Sequence, residues 1–350
     1  MIEIEYNDIL EYPWISSQLI SNIKNSLSET LETFVISQLN KEQKNIIILS
    51  LSGGVDSMVI SYILSNLSMD NLKVVAVHLN YNNRIESSKE AEFIIEWCEK
   101  INIPLYYRNV TEFTRHSIDR SNYEELSKKI RFDFYRQVFQ EHSTYNPIGV
   151  ILGHHKGDVQ ENIIFNFMKG RILLDLTVMQ KSTIIENINI LRPFITHPKS
   201  LIYELAKEAQ IPHFKNTTPV WSNRGQFREK LLPLLQTIFG IGVLENITKA
   251  GKESDELKDM VINEIVNPYY NTIVQKDTVF YFPIINKKIT FWKYVMMKFC
   301  SINNVPNLSN KSLEQLYERI INKQLGKIPL NKIIKGEIKI DCFLIHIGKK

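Results

Sequence analysis

The alternation of apolar and polar positions divides the chain into two regions. From Asn45 to about Gly153, short apolar runs alternate with longer segments whose apolar residues recur every three or four positions. The first run, Ile46-Ile47-Ile48-Leu49, is apolar at every position, as a strand covered on both faces requires. Met58 to Leu64 then reads as a helix. Lys73–Asn80, Ile103–Val110 and Ile148–Gly153 predict further strands, separated by helices over Glu86–Ile101 and Asn122–Glu141. In the first of these helices Ala91, Phe93, Ile94, Trp97, Cys98 and Ile101 share one face. A short polar lead and a helix over Ser17–Leu39 come before the first strand. Strands alternating with helices predict an α/β fold with a doubly wound, mostly parallel sheet. Ligands then sit at the carboxyl ends of the strands.

Around Gly240 the pattern changes. A polar, charged helix is expected over Asn246–Val266, and amphipathic helices over Ile289–Cys300 and Lys311–Asn322. Lys327–Leu330 and Gly336–Gly348 alternate like short antiparallel strands. The expected organisation is therefore a lead and helix at 1–44, an α/β domain at 45–240, and a C-terminal helical/α+β appendage at 241–350.

Composition narrows this picture. At 350 residues the chain has room for two domains, and 44% hydrophobic residues support a packed core. No apolar run approaches the roughly 18 residues of a membrane span, and the start has no basic-then-apolar signal pattern. No membrane role and a cytoplasmic location are the expectation. Cys98, Cys300 and Cys342 are far apart without a C-x-x-C pair, which argues against a disulfide framework or a structural zinc site. The net charge is only +4, but between Lys287 and Lys350 lysines outnumber acids such as Glu314, Glu318, Glu337 and Asp341. That balance suits nucleic-acid phosphates, and it equally suits a solvated surface.

Two polar strings carry the chemistry. Ser52-Gly53-Gly54-Val55-Asp56-Ser57 lies between the first strand and its helix. Two glycines let backbone N–H groups point inward, the helix start adds positive potential, and Ser52 and Ser57 add hydroxyls. Asp56 beside a polyphosphate makes sense through Mg2+. Gly153-His154-His155-Lys156-Gly157-Asp158-Val159-Gln160-Glu161-Asn162 ends another strand and opens a helix, so it faces the same crevice. His78, near the end of the second strand, should sit nearby. Arg224 and Arg228, four apart on one helix face, could be a solvated basic face or could grip substrate, together with Lys169, Arg171 and Arg192.

The first string resembles the PP-loop of the ATP pyrophosphatases, S-G-G-x-D-S, of adenine nucleotide alpha hydrolase-like fold. No G-x-x-x-x-G-K-[ST] occurs. The second resembles G-H-x-x-D-D-x-x-E-T of PP-loop enzymes that modify tRNA, with Gly157 in place of the first aspartate and Asn162 in place of the threonine. His78-Leu79-Asn80-Tyr81 with Arg84 and Glu86, Glu124 to Phe132, Leu191-Arg192-Pro193-Phe194 with Lys199, and Arg224 to Leu235 resemble further motifs of the tRNA(Ile)-lysidine synthetase family. The resemblance covers about Asn45 to Leu235.

It implies a ligase. ATP adenylates the wobble cytidine of a CAU-anticodon isoleucine tRNA, and free L-lysine then displaces AMP. ATP would rest on Ser52, Gly53, Gly54, Val55, Asp56, Ser57 and His78, with Mg2+ on Asp56 and Asp158. Asp56, Asp158 and His154 would be catalytic; His154, His155 or a carboxylate could take the amine's proton. Lys128, Arg131, Arg171, Arg192, Arg224 and Arg228 would bind tRNA or substrate. PP-loop tRNA thiolation, or a tRNA-binding paralogue weakened in catalysis, are the alternatives. A homodimer stays open.

Overall fold

The fold is described from a computed structural model, which covers residues 17–82, 87–113, 119–171, 173–215 and 222–348. The lead before Ser17, and Arg84 and Glu86, lie outside the described residues. The first unit alternates α1 (Ser17–Ile36), β1 (Asn45–Ser50), α2 (Val55–Ser65), β2 (Leu72–Asn80), α3 (Ser87–Lys100), β3 (Leu105–Asn109) and α4 (Arg120–Glu141). It continues with β4 (Asn146–Ile151), α5 (Lys156–Met168), β5 (Ser182–Ile185), β6 (Ile188–Leu191) and α6 (Lys199–Glu208). The sheet order is β3-β2-β1-β4-β6-β5, parallel except for the antiparallel β5–β6 pair at one edge.

Both faces of this sheet are covered, which explains the unbroken apolar run in β1. Ile47 and Leu49 pack with Leu27, Leu31, Met58, Trp97 and Phe194 on one side. Ile46 and Ile48 pack with Phe132, Phe134, Tyr135 and Val138 on the other. All four β1 side chains are fully buried, each contributing about 2 kcal/mol of transfer free energy. Successive strands run outward from β1 through β2 to β3, and the chain then returns to place β4 on the opposite side of β1. The order therefore reverses between β1 and β4, where doubly wound folds leave a crevice. The loops after β1 and β4 are the two polar strings.

The β5–β6 hairpin and α6 are elements that the sequence pattern did not show. The hairpin turns on Glu186 and Asn187, both at positive φ (50° and 63°). Two consecutive residues of this kind make the primed turn that matches strand twist. No glycine marks it.

After α7 (Asn223–Gln226) the helix continues through a widened π turn over Phe227–Leu231 into α8 (Leu232–Phe239). α9 (Val243–Val261) passes through a second π turn, Ile262–Val266, into α10 (Asn267–Tyr270). Each widened turn ends two residues before a proline, Pro233 or Pro268, in the first turn of the next helix. A proline has no N–H for the preceding turn and its ring crowds the carbonyl four residues back. The chain accommodates this with an i→i−5 bond, Leu232 N to Phe227 O and Asn267 N to Ile262 O.

The second unit comprises Lys252 to the C-terminus together with Leu173–Asp175. Ser254 Oγ donates to Leu173 O (2.5 Å) and Lys258 Nζ lies 3.0 Å from Asp175, which ties that short segment in. Its sheet has the order β7-β8-β11-β10-β9, from β7 (Val274–Lys276), β8 (Val279–Pro283), β9 (Gly326–Pro329), β10 (Ile334–Ile338) and β11 (Cys342–Ile347). All its pairings are antiparallel. α11 (Ile289–Ile302) and α12 (Asn310–Ile321) accompany it; Phe299 packs on Phe280 and Phe282, and Trp292 on Phe343. The pairing places Val274, Tyr281, Leu344, Glu337 and Lys327 in one row of the opposite face. Lys276, Val279, His346, Lys335 and Pro329 form the next row. Among the described residues, no single helix is long and apolar enough to cross a membrane.

Candidate active site

The loop after β1 is held in shape by its own serines. Ser57 Oγ accepts from Ser52 N (3.2 Å) and donates to Gly54 O (3.0 Å), with Ser52 Oγ 3.1 Å away. Gly53 has φ +80°, and a Cβ there would lie 2.6 Å from the Phe214 ring. Phe214 N also donates to Gly53 O (2.9 Å), so the loop is backed by the segment after α6. Gly54 caps α2 without a side-chain bond, which leaves the helix start open to an anion. A Cβ on Gly153 would approach Asp56 Cβ and Ser57 N to 3.0 Å, so glycine lets the loops after β1 and β4 close on each other.

Beside this cradle lies a chain of charges. His155 caps α5, its Nδ1 accepting from Gly157 N at 3.0 Å. A neutral ring therefore carries its proton on Nε2, which lies 3.4 Å from Asp158 Oδ2 and 3.9 Å from Asp56 Oδ1. Burial pushes His155 below the ordinary imidazole pKa, against the pull of Asp158 and Asp56. Asp158 Oδ2 accepts from His155 N (3.0 Å) and Oδ1 from Arg228 (2.8 Å). Burial opposes ionisation of Asp158, but His155, His154 and Arg228 outweigh it and hold its pKa low. Arg228 Nε also reaches Glu161 (2.8 Å), and Arg224 Nε lies 2.9 Å from the other Glu161 oxygen. Burial raises the Glu161 pKa despite these partners. Lys199, first residue of α6, sits with Nζ 3.6 Å from Asp56 Oδ2.

The described residues contain no group of three or more His, Cys, Asp or Glu able to hold a metal. Mg2+ beside a nucleotide needs only one or two carboxylates, since phosphates and water complete its shell. Asp56 fits that need: its Oδ1 is buried without a hydrogen-bond partner. Both Asp158 oxygens are already engaged.

The expected site residues fall into three groups. Ser52, Gly53, Gly54, Val55, Asp56, Ser57, His154, Asp158, Arg224 and Arg228 belong to the loops and the charge chain at the crevice. His78 closes β2 beside them, its Nδ1 2.8 Å from Leu51 O and its ring stacked on Tyr107. Arg131 on α4 faces Tyr81 and Tyr135, its Nε buried without a hydrogen-bond partner. Of the remaining basic residues, Lys128 and Arg171 lie elsewhere, while Arg192 meets His154. Lys128 pairs with Glu186 (3.0 Å), and Arg171 is exposed after α5. Arg192 is 5% exposed and bonded to His154 Nδ1, Gln180 O and Thr183 Oγ1. Sequence reasoning gave no role to Lys199 beside Asp56, Phe214 behind Gly53, or the capping geometry of His155. The only signal for Lys199 was its place in the family spacing.

The family model of the PP-loop domain matches residues 23–235, more than half of the chain. The chain belongs to the PP-loop family. The matched span takes in both polar strings, Ser52–Ser57 after β1 and Gly153–Asn162 after β4. Curated relatives include tRNA(Ile)-lysidine synthase of Chlamydia caviae, 27% identical over 68% of this chain and 72% of that protein. The enzyme of that name from Chlamydia trachomatis serovar D is 26% identical over 86% and 91%. Among solved structures, the U34-tRNA thiolase NcsA from Methanococcus maripaludis, with its [4Fe-4S] cluster, superposes with a TM-score of 0.52. It is 15% identical and covers 68% of this chain and 80% of that one, which supports the fold.

Proposed function

We propose that this chain is a PP-loop ligase that uses ATP to adenylate the wobble cytidine of a CAU-anticodon isoleucine tRNA, then replaces AMP by free L-lysine. The observation that carries the reading is the complete PP-loop at the β1/β4 switch point with a partnerless Asp56 oxygen beside it. The name that the curated relatives share, tRNA(Ile)-lysidine synthase, supports the choice of tRNA and of amino acid.

In this reading the phosphates rest on Ser52, Gly53, Gly54, Val55 and Ser57 at the positive start of α2. Asp56, with its unpartnered Oδ1, would hold Mg2+, which would neutralise phosphate charge. Asp158, whose oxygens accept from His155 N and Arg228, would be the second carboxylate beside it. The target cytidine must leave its stack to present O2. That oxygen bonds to the α-phosphorus and the bond to pyrophosphate breaks. The lysine amine then attacks C2 and AMP leaves. The protein's contribution is positioning and stabilisation of charge on the departing groups.

Thiolation is the weaker reading. Cys98, the cysteine of the first unit, is buried with its thiol pushed up to about 12 by burial. A thiol so placed is a poor nucleophile or cluster ligand. The test is pyrophosphate release from ATP. It should require the tRNA, and AMP formation should couple to lysine consumption. Release with tRNA but indifference to lysine would overturn the lysine assignment, and silence under all conditions would favour a tRNA-binding paralogue.

A further inference from the structure

We infer that Arg192 is a positioning residue that fixes the tautomer of His154, so that His154 offers the crevice a hydrogen-bond donor and not a proton acceptor. Arg192 Nε donates to His154 Nδ1 at 3.0 Å. A guanidinium has donors and no acceptor, so Nδ1 must hold its lone pair and the neutral ring must carry its proton on Nε2. The arginine is itself anchored: one terminal nitrogen donates to Gln180 O (2.9 Å) and Thr183 Oγ1 (3.2 Å), at the start of the β5–β6 hairpin. The edge hairpin therefore builds the bracket that orients the imidazole.

His154 follows β4 at the carboxyl end of the sheet. Its Nε2 has no hydrogen-bond partner among the described residues, and the half-buried ring stands where the loop after β4 opens α5. The charged groups facing this ring are Asp158, Arg192, Arg224 and His155. Burial first, then the two arginines and His155, drive its pKa down to about 4 against Asp158. A neutral Nε2–H can donate to an oxygen that gains negative charge as the α-phosphorus is attacked. It has no lone pair left to relieve an incoming amine of its proton, which leaves that task to another group. This deepens, and rests on, the adenylation proposed above.

The test is to label histidines with 15N in the full-length protein and assign His154 from the His154→Gln spectrum. Its ring nitrogens are followed from pH 8 to 5 without ATP or tRNA. The expected result is a neutral Nε2–H ring throughout that range in the wild type. In Arg192→Met a mixture of tautomers should appear, titrating nearer the ordinary 6.5, while Arg192→Lys, which keeps a donor, should stay near wild type. tRNA-dependent pyrophosphate release in Arg192→Met should fall by about 10²-fold and gain a new inflection in its pH profile; a merely structural role would not create one. A proton on Nδ1 in the wild type, or a wild-type titration near 6.5, would overturn the inference. Should Arg192→Met fail to fold, the wild-type and Arg192→Lys spectra decide the matter. Because those spectra need no substrate, a protein with the expected tautomer but no pyrophosphate release would refute the adenylation reading and leave the bracket standing.

Discussion

Gly157 and His155 show how one departure from a motif becomes legible only at atomic distance. Read as sequence, Gly157 is a missing carboxylate. In the structure its bare Cα leaves room for the His155 ring, which a Cβ would meet at 2.7 Å. The ring folds back to cap α5 and points Nε2–H toward Asp158 and Asp56. Gly157→Asp, which restores the family pattern, should therefore lower both the unfolding midpoint and ATP turnover. Gly157→Asp in a His155→Ser background should tolerate the new side chain better, because serine also caps. Thermal melts and turnover of the three variants check this. His154 gives a second residue-scale prediction. Its folded pKa, about 4, lies below its unfolded value, so the unfolded state takes up a proton first as pH falls. Its contribution to stability is complete above about pH 6.5 and is lost progressively down to about pH 4. Urea midpoints should fall across that window, and His154→Gln should flatten the fall. The partner of His154 Nδ1, Arg192, follows β6 and lies 38 positions away, so no local pattern announces it.

At the scale of elements, the alternation of strand-like and helical runs foretold β1 to β4 and α2 to α5, and β1 is apolar at Ile46 to Leu49 because both its faces are buried. The β5–β6 hairpin escaped because Glu186 and Asn187 adopt positive φ without a glycine to signal it. Arg224 and Arg228 were visible as a basic pair, but their partners were not. Both close on Glu161, whose side chain is 2% exposed, and Arg228 also closes on Asp158. The widened turn before Pro233 carries Arg228 into this position. Removing Arg228 would leave buried carboxylates short of a partner, and Arg228→Ala should cost about 3 kcal/mol in urea unfolding. Adding Glu161→Gln should return part of that loss. A mere solvated basic face would lose almost nothing on the same change.

For the whole molecule, the alternation of strands and helices carried the α/β architecture and its switch-point crevice, while the C-terminal sheet was half legible. β7 and β8 are short, and Asp277 turns between them at positive φ without glycine. We propose that the sheet face carrying Lys276, Lys327 and Lys335 helps hold tRNA phosphates. Replacing those three exposed lysines by glutamine should weaken tRNA binding and reduce the slope of log K against log salt by roughly 2 to 3. An unchanged slope would place the tRNA on another surface. The central claim is the reaction itself, and nucleoside mass spectrometry tests it most directly. A CAU-anticodon isoleucine tRNA, incubated with the protein, ATP, Mg2+ and lysine, should yield a lysyl-cytidine nucleoside that is absent with Asp56→Ala. An unmodified cytidine under the same conditions, with the protein folded and the tRNA bound, would contradict the account.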